Sequence, residues 1–445
     1  MKKLTKIAVV LLAVLMICSL AGCSKKSDSG ATTAAGGGSS GQSITLSFTV
    51  MCGEQEFNTW TKCVNLFMEK NPNIKVVMEN VPGDWEGYGQ KLMTLIAAGT
   101  PPDTGRIGSL QMPQYSSMGQ LVELSDYVKR DLNMAEYDAN VFEQAKVNGG
   151  LYGLPVGVYT LIVCYNKTLF DEAGIPYPST DWNNSWTLDE FKEIAKKLTK
   201  GTGPNKQYGF YANLSPERSN SFYYSAGGDV FSADHTVCTL DQPPMVSTYT
   251  WLIDMIKEGY APNMLQTTRA PPNDQLFMTN KLGMYLEGEW QIPAYAEAME
   301  EGLKWGVAPI PRDAAGAKTV LFLDDYTVFT SSKYKEESWK LISFLIGPEA
   351  EEIIALDQAF GMLMHLPTQE RLKKQMFTSL SDDEKDVLFN SPQHAIGMYF
   401  TNNWAEMLEA SMKTIDRMTM GEVSVVDGLG QLKVTLDELN KVNLE

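Results

Sequence analysis

Ile44-Thr45-Leu46-Ser47-Phe48-Thr49-Val50 alternates apolar with polar side chains, the period of a strand that keeps one face in a core. Gly53-Glu54 turns the chain, and Phe57, Trp60, Val64 and Phe67 then recur at helical spacing until Asn71-Pro72 stops them. Ile74, Val76 and Met78 alternate again. Strand, helix and strand in this order predict two parallel strands joined by a right-handed crossover, and hence an α/β lobe. Tyr88, Leu92, Leu95 and Ile96 make a second helix face, closed by Gly99-Thr100-Pro101-Pro102-Asp103, after which the chain is expected to re-enter the sheet.

Upstream of this unit, Lys2, Lys3 and Lys6 precede an almost unbroken apolar run from Ile7 to Leu20, followed by Ala21-Gly22-Cys23. The run falls short of the ~20 residues a spanning helix needs, so it reads as an export leader covering residues 1–22. Ala21 and Gly22 suit a peptidase cleft, and the pattern resembles the lipobox of bacterial lipoproteins, which implies that Cys23 carries the lipid. Residues 24–43 are Ser, Gly, Thr, Ala and Lys with no large apolar side chain, a tether that cannot bury enough surface to fold. Twenty such residues reach roughly 25 Å. The expected location is the outer face of the cell membrane, held by lipid. The Gly36-Gly37-Gly38-Ser39-Ser40-Gly41 run is no phosphate loop, because no strand precedes it and no helix pattern follows.

The rest of the chain is 44% hydrophobic and 20% charged over the whole sequence, ordinary for globular protein and long enough for two lobes. With three lysines and no acid leaving with the leader, the net charge falls from −17 to −20, which repels nucleic acid and anionic lipid. Cys52, Cys63, Cys164 and Cys238 show no metal-ligand spacing; Cys63 and Cys164 sit in apolar-periodic segments as small core residues, and a Cys52–Cys63 bridge stays open. No metal and no cofactor are expected.

Ala97-Ala98-Gly99-Thr100-Pro101-Pro102-Asp103 resembles a signature of the extracellular solute-binding proteins of ABC carbohydrate importers, the maltose-binding-protein relatives. Gly119-Gln120-Leu121-Val122-Glu123-Leu124, Leu151-Tyr152-Gly153-Leu154-Pro155 with Tyr165-Asn166-Lys167, Trp186-Thr187-Leu188-Asp189-Glu190-Phe191, Gly227-Gly228-Asp229, and Gly288-Glu289-Trp290 with Trp305-Gly306-Val307-Ala308-Pro309 follow in the family's order. The resemblance spans about residues 44 to 360. It implies a two-lobed α/β fold of the periplasmic-binding-protein-like type II, with the ligand in the cleft. Lobe one would be 44–156 plus 306–347, and lobe two 157–305 plus 348–445. It also implies a monomer that captures a carbohydrate by hinge closure near Pro155 to Tyr159 and delivers it to ABC permease subunits. One departure stands at Leu323-Asp324-Asp325-Tyr326, where many relatives carry Gly-Gly.

Sugar recognition asks for flat aromatic faces against the ring and carboxylates or amides for its hydroxyls. Relatives place a stacking tryptophan at the position of Trp290. Glu54, Tyr159, Trp404, Arg106, Ser109 and Asp325 complete the expected ligand set, with Arg106 available to an anion. Trp60, Trp305 and Trp339 read as core, Trp85 and Tyr88 as cleft or helix cap, and Asp103 as a turn residue. Catalytic constellations are thin: three histidines stand without i,i+4 partners, and no Gly-x-Ser-x-Gly elbow occurs. Glu287 and Glu289, on one strand face, and the adjacent Asp324 and Asp325 are the carboxylate pairs a glycoside hydrolase would use. That enzyme, and a receptor feeding a membrane sensor, are the alternatives to a transport protein, which performs no catalysis. Seven arginines without a cluster favour a neutral sugar over a phosphate ester.

Overall fold

The computed structural model describes residues 43–263, 273–300, 302–357 and 361–444; the leader, Cys23 and the tether lie outside the described residues. Strand β1 (Ile44–Val50) pairs in parallel with β2 (Ile74–Asn80), Ile44 opposite Ile74. Helix α1 (Glu54–Lys70) makes the crossover and buries Trp60, Cys63, Val64 and Phe67, one stripe at i, i+3, i+4 and i+7. Its acids at the start and Lys70 at the end both favour the helix dipole. Helix α2 (Trp85–Ala97) is capped by the Asp84 side chain, which accepts from Gly87 N at 2.8 Å. The chain then returns as β3 (Thr104–Gly108), parallel to β1. Asp103 does more than turn the chain: its carboxylate accepts from Ser47 N (2.9 Å), Ser47 Oγ (2.8 Å) and Ser332 Oγ (2.7 Å).

Strand β4 (Leu154–Asn166) is buried along all 13 residues, because it belongs to two sheets in succession. From Leu154 to Thr160 it pairs antiparallel with β8 (Thr319–Val328); from Leu161 onward it pairs with β6 (Leu282–Gly288) and β7 (Trp305–Ala308). β5 (Tyr208–Tyr211) lies parallel to β6, giving the order β2-β1-β3-β8-β4-β6-β5. β8 in turn changes neighbours: Asp324 to Val328 pair with β3, whereas Thr319 to Leu321 pair with the short β9 (Ala395–Gly397). A ribbon of β4, β8 and β9 therefore joins the two halves, with a register shift between Pro155 and Gly157.

The expected boundaries move accordingly. β7 pairs within the second sheet, so the chain re-enters the first half in β8 and not at 306; Trp305 and Val307, 1% and 0% exposed, fill the second half's core. Residues 348–356 form a helix that packs on α1, with the Cys63 thiol on the Ala350 carbonyl (3.5 Å) and Lys70 paired to Glu349 (2.8 Å). They stay with the first half. The second half takes up the chain again by residue 384, where Glu384 meets Lys167 (2.8 Å) and the Tyr165 hydroxyl (3.2 Å).

Helices α3 (Trp404–Met420) and α4 (Val425–Leu444) close the second half, separated at Gly421, whose φ of 76° suits glycine. Leu429, Leu432 and Leu436 are buried in α4, whereas Val426 is 62% exposed, so the buried stripe begins at Leu429. Trp60, Trp305 and Trp339 are core, as their contexts predict. Cys52, Cys63, Cys164 and Cys238 are buried free thiols, so Cys52 and Cys63 are not bridged, and burial pushes Cys63 up to about 12. Among the described residues no helix is long and apolar enough to cross a membrane.

Candidate functional site

A cavity of about 420 Å³ lies between the halves on one face of the ribbon. The first half contributes Met51, Cys52, Glu56, Trp85, Arg106 and Ser109; the second contributes Glu217, Arg218, Trp290 and Phe400; the ribbon adds Tyr159, Phe322 and Asp324.

Arg106 organises the first wall from the middle of β3. Its guanidinium pairs with Glu56 at 2.8 Å and with Asp324, touches the Met51 carbonyl at 3.3 Å, and stands 4.9 and 5.3 Å from the ring centroids of Trp60 and Trp85. Only 7% of this side chain is exposed. Burial works against its charge, but Glu56 and Asp324 outweigh it and hold Arg106 well above its usual value. Burial likewise raises both acids, and Arg106 pulls them back. The triad carries one net negative charge when both acids are ionised, so the expected role of Arg106 as an anion receptor does not hold.

Trp290 organises the second wall. It sits in a 3-10 turn (Glu289–Gln291) directly after β6, and its ring folds back over Gly288: a Cβ there would lie 2.2 Å from the indole. Glycine is required by that approach. Tyr159 and Phe322 meet the indole edge-on at 6.2 and 5.9 Å between centroids, and the Arg218 guanidinium lies 5.1 Å over it. Arg218 is also 3.1 Å from Glu287, an ion pair without hydrogen-bond alignment. Beside it, Glu217 accepts from the Trp404 indole N–H at 3.4 Å, and burial raises its carboxyl above the usual range.

Of the expected ligand residues, Trp290, Tyr159, Arg106 and Ser109 converge on this cavity. Tyr159 turns its hydroxyl to Arg106, at 3.5 Å. The Ser109 hydroxyl donates to the Leu323 carbonyl and accepts from Leu323 N, tying β3 to the ribbon. Trp404 does not line the cavity; it positions Glu217 and packs edge-on against Phe400 at 5.1 Å. Glu54 is displaced. It opens α1 on the outer surface beside Asn58 and Lys62, and Glu56, about 200° further round a helix of 3.6 residues per turn, is the acid that reaches Arg106. Asp325 is displaced for a similar reason: strand side chains alternate, so Asp324 faces the cavity and Asp325 the opposite side of β8.

Glu56, Asp324, Glu217, Arg218 and Phe322 were not among the expected residues. Glu56 and Asp324 neighbour expected positions and differ by the phase of helix and strand; Arg218, in a helix beginning at Pro216, carries no local signal at all. Of the two candidate carboxylate pairs, Asp324 lines this cavity and Asp325 faces away from it, while neither Glu287 nor Glu289 lines it. Glu289 is fully buried and accepts from Thr160 N (2.7 Å) and Thr160 Oγ (2.5 Å) where β4 changes sheets; burial still pushes it up to about 7. Glu287 accepts from the Tyr285 hydroxyl at 2.6 Å.

Residues 53–352 match the family model of bacterial extracellular solute-binding proteins. The chain belongs to that family. A putative binding protein of Brucella abortus is 30% identical over 284 residues, covering 63% of this chain and 66% of the relative, just under two thirds of its length. A diacetylchitobiose-binding protein of Streptomyces coelicolor is 31% identical over 375 residues, 81% of each chain. Among solved structures, an ABC substrate-binding protein of Listeria monocytogenes in complex with cycloalternan superposes with a TM-score of 0.78 at 23% identity, over 90% of this chain and 99% of that one. These likenesses establish the two-lobed α/β fold of this solute-binding protein.

Proposed function

We propose that this solute-binding protein captures a neutral carbohydrate between its halves and presents it, as a monomer, to the permease of an ABC importer, held at the outer membrane face by a lipid on Cys23. One observation carries the ligand class. Trp290, boxed by Tyr159 and Phe322, faces across the cavity from Arg106, which Glu56 and Asp324 already hold, while Arg218 lies over the indole and is ion-paired to Glu287. An aromatic face suits the C–H side of a sugar ring, and the paired side chains keep spare lone pairs and N–H groups for hydroxyls. Both arginines already have carboxylate partners, and the Arg106 triad is net negative, which disfavours a phosphate. The relative that binds diacetylchitobiose points to the same class.

Thermal melting of the chain from residue 24 onward, against a panel of mono- and oligosaccharides, tests the reading. A ligand at 100 times its Kd adds ~2.7 kcal/mol of stability. Stabilisation by sugar phosphates or peptides and by no neutral glycan would overturn it. The anchor has its own test, since Cys23→Ala removes fatty-acid labelling if Cys23 is the acylated residue.

A further inference from the structure

A second cavity, of about 450 Å³, lies on the other face of β8. Phe322 and Asp324 point into the first cavity, whereas Leu321 and Asp325 point into the second; Ser109, Leu323 and Phe400 border both. Its walls again come from both halves: Met112 and the segment Gln144 to Asn148 from the first, His235, Met398 and Tyr399 from the second.

Asp325 is the feature that needs explaining. It is 2% exposed, and its Oδ1 has no hydrogen-bond partner among the described residues. The other buried acids behave differently. Glu287 has Tyr285 and Arg218, Glu289 has Thr160, Glu351 accepts from Met364 N and His365 N, and Glu384 has Lys167. A buried carboxylate without a donor is costly, and natural structures rarely keep one without use.

The surroundings limit what could meet this carboxylate. Met112, Leu321, Leu323 and Met398 are apolar, and Tyr399 offers a ring whose other side is stacked on His235 at 3.9 Å, 4° from parallel. Lys146, on the same cavity, is taken by both oxygens of Glu143 at 2.7 and 2.6 Å. His235 Nδ1 has no hydrogen-bond partner among the described residues. Ser109, Gln144 and Asn148 add polar groups to the wall, but the buried acid is Asp325, and with apolar and aromatic side chains beside it the carboxylate complements a charged donor on an apolar body.

We propose that this second cavity binds a small organic cation, its ammonium paired with Asp325 and its body lying on Leu323, Met398 and Tyr399. The site is separate from the carbohydrate cavity and does not depend on that assignment.

Benzylammonium is a suitable probe, with benzyl alcohol and benzoate as uncharged and anionic controls, titrated into the soluble chain with methionine methyl groups labelled for NMR. Benzylammonium is expected to shift Met112 and Met398 and leave Met51, in the first cavity, unmoved; benzyl alcohol should bind at least tenfold more weakly and benzoate not measurably. Asp325→Asn should weaken the cation at least tenfold. Should that variant fail to fold, Met398→Trp, which fills the cavity from a half-buried position, should block binding instead. Absence of benzylammonium binding, equal binding of the alcohol, shifts confined to Met51, or undiminished binding in a folded variant would each overturn the proposal.

Discussion

The two walls of the first cavity are built from opposite materials. The first-half wall is a closed electrostatic unit, with Arg106 at 7% exposure held between Glu56 and Asp324 and backed by Trp60. The second-half wall is aromatic and only half-buried, with Trp290 between Tyr159, Phe322 and Arg218 and with Glu217 nearby. One wall has its charges paired before any ligand arrives, with only Arg106 Nε left without a partner among the described residues; the other leaves a large apolar surface to be covered. Substitutions in the first should therefore register in folding, and substitutions in the second in binding.

The largest effect should come from Arg106→Met, which strands two buried carboxylates and should cost about 3–5 kcal/mol of stability. Chemical denaturation without ligand measures it, and adding Glu56→Gln and Asp324→Asn should recover part of the loss. An Arg106→Met protein as stable as the parent would mean that the wall is not held by its ions. Next comes Trp290→Ala, expected to weaken carbohydrate binding more than tenfold, a loss of about 2 kcal/mol typical of an aromatic anchor, with a smaller fall in ligand-free melting than Arg106→Met. If the ligand-free protein melts far lower and the folded fraction binds normally, Trp290 is core and the contrast between the walls fails.

A third effect is smaller and depends on pH. Burial holds the Glu289 proton up to about 7, above the ordinary 4.5, so the folded chain keeps a proton that the unfolded chain releases. The stability it contributes is full below about 4.5 and is lost as pH rises through 7. Melting temperature should fall across that window, less steeply in Glu289→Gln; Glu351, raised by burial to about 8, keeps a residual slope in the same direction. An identical slope in the variant would remove Glu289 from the account. Smallest of all is Glu54→Gln, which should change neither stability nor affinity measurably, because Glu54 opens α1 on the outer surface. A clear loss of affinity there would return Glu54 to the site.

What the sequence reveals follows the range of the interactions. The β1–α1–β2 unit is written in local periodicity, and the structure has it within a residue or two. Trp290 was singled out by the resemblance of Gly288-Glu289-Trp290 to the family's pattern, and the structure places it on the cavity. Arg106 was found at its position, but its role was not, since Glu56 and Asp324 lie 50 and 218 residues away and only the fold brings them together. The errors at Glu54 and Asp325 are errors of phase: a pattern locates a segment more reliably than it tells which of two adjacent acids faces inward. The lobe boundaries are hard to read for another reason. A strand that changes partners midway, as β4 does at Thr160, looks in sequence like any other fully buried strand.

That same strand arrangement has a consequence for how the chain is made. The first sheet cannot be completed until β8 exists, because β8 lies between β3 and β4, and its residues follow theirs by more than 150 positions. Until Thr319–Val328 has emerged from the ribosome, β3 and the first half of β4 present open edges with nothing to pair. Such long-range pairing closes slowly. The delay sets a hazard, since those open edges are the surfaces most exposed to another chain before β8 fills the gap.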